Sequence, residues 1–167
     1  MSDHAARMYS QALERIHDAD ILAQAWDRKS DSDSIIRILG FEVLLKCAAL
    51  LSLGEIPPDR HNYFRLWEKL PAEASNEIMR VALAHKPGHS DLSQMKTLLD
   101  AYKHVFEKGR YYYELYEGCT TEEVRETGES WIANGAKNED AAVAYYPTEL
   151  SCLIEGLSRF IAGRLGA

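Results

Sequence analysis

Along this chain apolar residues recur at intervals of three and four, the spacing that gathers side chains on one face of an α-helix. No run alternates as a half-buried strand would. The pattern predicts an all-α fold, an up-and-down bundle of about five main helices. The first helix spans residues 4–27, with Ser2 or Asp3 as its cap. Its apolar stripe is Tyr9, Leu13, Ile16, Ala23 and Trp26, and Asp20 falls on the same stripe. A turn rich in capping residues, Lys29-Ser-Asp-Ser-Asp33, leads to a second helix over 34–53, ended by Gly54 and Pro57-Pro58. That helix is apolar nearly all round, which places it at the centre of a bundle and obliges its few charged residues to find partners.

A third segment, 61–70, is stopped by Pro71, which itself suits the first position of a fourth helix over 72–85. Pro87-Gly88 breaks that helix. Ser90 or Asp91 then caps the longest stripe, which runs through Leu92, Met95, Leu98, Tyr102, Val105, Phe106, Gly109 and Tyr113 to an end near Gly118. Thr120-x-x-Glu123 has the form of a capping box for a weaker helix reaching Asn134, interrupted by Gly128. Residues 135–147 take no assignment, and 118–147 reads as an insertion or mobile connection within a single domain of 1–167. The last helix, 148–165, repeats apolar residues at Leu150, Leu153, Leu157, Phe160 and Ile161 and closes one side of the bundle.

Composition narrows the function classes. With 46% hydrophobic and 27% charged residues in 167, the chain carries a real core and is not a disordered segment. Its net charge of −7 disfavours RNA as a partner through bulk electrostatics. Cys47, Cys119 and Cys152 are widely spaced and form no CxxC, so they predict reduced thiols rather than a disulfide framework or a zinc site. The most apolar stretch carries Arg37, Glu42 and Lys46, and the N-terminus lacks a secretion-signal layout, which predicts a soluble cytoplasmic protein with no membrane span.

Candidate chemistry centres on Glu42 and Lys46, one turn apart on the most apolar helix, because buried charges are costly unless paired. Asp20 on the first helix and Arg110 with Glu114 on the long one are candidates to join them in a polar network. His85-x3-His89 with Asp91 has metal-like residue types, but Pro87-Gly88 between the imidazoles removes the helical geometry a shared ion needs. Glu14-x-x-His17 stands without the second pair that a di-iron bundle requires. Phosphate-cradling glycine loops and the GxSxG elbow are missing, so no metal and no cofactor are expected. The tyrosines at 111, 112, 113 and 116 wrap around a helix, which leaves some of them exposed as an interface or stacking surface.

The arrangement Phe41-Glu42-x-x-Leu45-Lys46-x-Ala48-x-Leu50, then Gly54, then His61-Asn62-Tyr63-x-x-Leu66 with Leu70, resembles the HEPN superfamily. The later Phe106-x-x-x-Arg110-Tyr111-x-Tyr113-Glu114 is similar to the Arg-Tyr segment of several HEPN-like groups. The resemblance covers roughly residues 5 to 117 and the final helix. It implies a helical bundle of about five helices, often a homodimer, found in bacterial and archaeal toxin, phage-defence and nucleotidyltransferase-associated systems. Many such proteins are metal-independent ribonucleases carrying Arg-x4-6-His, in which arginine stabilises phosphate charge and histidine moves a proton.

The chain departs from that motif, because no histidine follows Arg110. Arg80 and His85 match the spacing, but about one such match is expected by chance from this composition, and they lie before the long helix. The leading expectation is therefore a HEPN-like binding or regulatory module with a polar pocket of Glu42, Lys46, His61 and Arg110, joined by Glu114 and Asp20. In it Arg110 and Lys46 hold an anion or carboxylate, and the partner is a second copy or another protein. One alternative is a ribonuclease using Arg80 and His85, or a set around Arg110 and His61. The other is a dimeric scaffold in which residues 111–116 pack across a two-fold axis.

Overall fold

The computed structural model describes residues 2–24, 32–59 and 61–166. Seven α-helices appear among them: α1 Ser2–Ala23, α2 Ser32–Leu53, α3 Tyr63–Glu68, α4 Ala72–His85, α5 Met95–Lys108, α6 Thr121–Ala133 and α7 Pro147–Leu165. The five longest pack into the expected all-α bundle, and no strand occurs among the described residues. No helix in that set is long and apolar enough to cross a membrane.

α2 is the central element, as its all-round apolar character requires. It packs against α1, α3, α5 and α7, burying Ile38, Phe41, Leu44, Leu45 and Leu50. Phe41 meets Tyr63 and Tyr102 edge-on, at 5.8 and 5.9 Å between ring centres. α1 runs antiparallel to α2. Ala5 lies by Cys47, Ala12 by Gly40 and Asp20 by Arg37.

The face of α1 that meets α2 differs from the predicted stripe. Ala5, Ala12 and Ala19, seven residues apart, are fully buried, with Met8, Tyr9 and Ile16 flanking them, whereas Leu13 and Ala23 are exposed. Trp26 and Asp27 of the predicted first helix and Lys29 to Asp31 of the predicted turn lie outside the described residues. The cause is close approach. A Cβ on Gly40 would sit 2.8 Å from the Ile16 side chain and 3.1 Å from the Ala12 carbonyl oxygen, so the missing side chain of Gly40 lets Ile16 and the α1 backbone close onto α2 with the alanines in the seam. α4 and α7 form a second tight seam, with Gly156 against Ile78 and Ala82.

Two further boundaries differ. α5 begins at Met95 after Gln94, and the Asp91 carboxylate instead accepts the Ser93 N–H at 2.9 Å in the preceding turn. At its other end the predicted long helix stops at Lys108 and continues as a 3-10 segment, Gly109–Tyr116, with non-helical backbone at Tyr111. Gly109 and, after Arg110, three successive tyrosines, which lose side-chain freedom in a helix, account for the break. The capping box at Thr120 and Glu123 is present and opens α6. Cys47 and Cys152 are buried and Cys119 is exposed. Burial pushes the Cys47 thiol up to about 11, so it stays protonated and donates to the Ala5 carbonyl.

Candidate functional site

Glu42, at the middle of α2, is the one buried charged residue among the described residues, 4% exposed. Three donors converge on its carboxylate. Lys46 Nζ, one helical turn on, donates to Oε1 at 2.6 Å. The Tyr63 hydroxyl donates to Oε2 at 2.9 Å, and His61 Nδ1 lies 2.8 Å from the same oxygen. Tyr63 is the first residue of α3, and His61 stands just before its cap. Asn62 caps that helix by accepting the Arg65 N–H at 3.1 Å, which fixes Tyr63 as its first residue, and the Asp59–Lys69 ion pair closes the loop around it.

Burial alone would raise the Glu42 carboxyl, but the hydrogen bonds from Lys46, His61 and Tyr63 and the Lys46 charge outweigh it and hold it below its ordinary 4.5. It is therefore a carboxylate at neutral pH and can only accept, so His61 must carry its hydrogen on Nδ1. That leaves the Nε2 lone pair of neutral His61 uncommitted to Glu42. Burial first, and the Glu42 charge next, raise the Tyr63 hydroxyl above its ordinary value, which keeps it a donor.

The sign of the pH dependence follows. A carboxyl lowered in the folded state contributes stability that is complete above its unfolded value and lost as pH falls through the folded one. In urea titrations below about pH 4.5, wild type should lose stability that Glu42→Gln, with no charge to neutralise, does not lose. Superimposable acid limbs would contradict this.

At the surface, His61 is 40% exposed on its side chain and packs against Phe106, 4.8 Å between ring centres. The guanidinium of Arg110 lies 4.6 Å above the same Phe106 ring and 5.6 Å from that of Tyr111. Stacking there leaves its in-plane N–H fork available for an anion. The structure thus gathers Glu42, Lys46, His61 and Arg110.

It does not bring in the remaining candidates. Asp20 is half exposed and pairs with Arg37 at 2.7 Å, more than one turn before Glu42. Glu114 is exposed on the 3-10 segment, and the non-helical backbone at Tyr111 removes the one-turn register that would have paired it with Arg110. Arg80 and His85 are both exposed on α4, and five residues of helix separate them by about 140° around its axis. They form no common site with His61 or Arg110.

Sequence reasoning missed Tyr63 and Phe106 as parts of the site. The signal for Tyr63 was the capping residue Asn62, which starts the helix at 63 and places Tyr63, Leu66 and Leu70 on one buried face. A buried hydroxyl then needs an acceptor, and Glu42 supplies it. Comparison with protein-family models, curated proteins and solved structures finds no match to this chain.

Proposed function

We propose that this chain is a HEPN-like binding module, regulatory rather than catalytic, whose face of His61 and Arg110 recognises a phosphate- or carboxylate-bearing group. The observation that carries the reading is the Glu42 carboxylate, saturated by three donors and therefore spent on holding His61. An anion against Arg110 receives the guanidinium fork, and it also receives the Nε2–H of His61 when that ring is protonated. Lys46 contributes through its charge, since its ammonium already donates to Glu42.

One observation favours a second reading, a metal-independent ribonuclease. Anchoring Nδ1 on a carboxylate orients Nε2 as a base for a 2′-hydroxyl, with Arg110 on the phosphate. The net charge of −7 weighs against RNA, as does the lack of a histidine after Arg110.

One experiment addresses both readings. Pyrophosphate, as the anion probe, should raise the melting temperature of wild type and not of His61→Ala or Arg110→Ala. Labelled RNA incubated with the same proteins in EDTA should stay intact. RNA cut by wild type and spared by both variants replaces the binding reading with the second, and no effect of either probe removes both.

A further inference from the structure

α6 stands apart from the bundle. It buries no residue, Ile132 is 67% exposed, and Gly128 at its middle faces open space. A thirteen-residue helix of this kind has little to hold it beyond its capping box and the surface pairs of Arg125 with Glu122 and Glu129. The Trp131 indole donates to the Lys137 carbonyl at 2.8 Å and ties the helix to the following loop.

One stripe of α6 lines a cavity of about 590 Å³, with Glu123, Glu126 and Trp131 on the helix, Asn134 at its C-cap and Asp140 in the short 3-10 segment Asn138–Asp140 that follows. The stripe extends about 16 Å, the reach of roughly five residues of extended chain. An apolar groove of about 410 Å³, lined by Tyr113, Tyr116, Cys119 and Val124, lies at its N-terminal end. Tyr113 is 73% exposed there.

We infer that this face docks a protein segment carrying lysine or arginine between apolar residues, with one cationic side chain over the Trp131 indole between Glu126 and Asp140. Charge complementarity selects the occupant. Glu122 and Glu129 pair with Arg125, but the cavity itself is lined by Glu123, Glu126 and Asp140 and by no basic side chain, so a second copy laid on the same face would oppose like charge to like. Glu126 and Asp140 line the same cavity as the Trp131 indole. Among the described residues no group of histidine, cysteine or carboxylate side chains could hold a metal ion. A cation on an extended chain satisfies both the ring and the carboxylates, and its apolar neighbours reach the tyrosine groove. The inference is independent of the His61 and Arg110 face.

The test uses full-length protein with fluorescein-labelled oligolysine as probe and oligoglutamate of equal length as comparison, read by anisotropy. Oligolysine should bind and oligoglutamate should not. The pair Glu126→Lys and Asp140→Lys should weaken binding by about tenfold or more, and Trp131→Leu should weaken it without changing charge. The control pair Glu14→Lys and Glu73→Lys makes the same change in net charge on α1 and α4. Equal weakening by that pair would reduce the effect to bulk electrostatics and overturn the proposal, as would failure of oligolysine to bind. Self-association of wild type that Trp131→Leu abolishes would assign the face to a second copy and overturn it too. Circular dichroism confirms that each variant keeps its helices.

Discussion

A Glu42→Ala variant should melt roughly 6–12 °C below wild type, a loss of about 3 kcal/mol in a chain of this size. The reasons are local. Removing the carboxylate strands the Tyr63 hydroxyl in a fully buried position with no acceptor, which alone costs about 1–3 kcal/mol. Lys46 and His61 lose their partner as well, but both reach solvent, so their share is discounted for screening. Tyr63→Phe removes the stranded donor and keeps the ring against Phe41, so combining it with Glu42→Ala should cost less than the two single losses added together. An unchanged melting temperature for Glu42→Ala would show that the cluster holds nothing.

Gly156→Ala should be comparably damaging through packing. The new Cβ would lie 2.5 Å from the Ile78 carbonyl oxygen, 3.1 Å from the Ile78 side chain and 3.2 Å from Ala82. A backbone carbonyl cannot swing aside as a flexible side chain can, so α4 and α7 must separate, at about 3 kcal/mol. Gly163→Ala on the same helix is the control. A Cβ there meets open space, and the higher helix propensity of alanine should leave stability equal or raised by up to about 1 kcal/mol. If both substitutions behave alike, the close seam between α4 and α7 is wrong.

The all-α class and the central place of α2 were legible because periodicity and all-round apolar character are properties of a helix by itself. The face of α1 was not. A reading that ranks large apolar residues first puts Leu13 inside, whereas α1 closes on Gly40 through Ile16 and the Ala12 backbone and leaves Leu13 outside, and no single helix carries that information. The apolar stripe past Lys108 was read correctly in composition and wrongly in geometry, because spacing of three suits a 3-10 turn as well as an α-helix.

At the site, Glu42 and Lys46 announced themselves as charges on an apolar helix, and the pairing at 2.6 Å is what burial demands. Asp20 and Glu114 were grouped with them by position along single helices, but which turn faces which neighbour is decided by packing. Asp20 therefore meets Arg37. Phe106, read as core, carries both His61 and Arg110 on one ring; Arg110 lies four residues on along the same segment, but the approach of His61 from the loop before α3 is something sequence spacing does not encode.

The most direct test of the account is long-range proton–nitrogen NMR of the His61 ring at neutral pH, in wild type, Glu42→Gln and Arg110→Ala, with and without pyrophosphate. The account predicts that neutral His61 in wild type holds its hydrogen on Nδ1, that Glu42→Gln releases this preference, and that pyrophosphate shifts the Nε2 signal in wild type but not in Arg110→Ala. A hydrogen on Nε2 in wild type, or an Nε2 signal that pyrophosphate leaves unmoved, would contradict it.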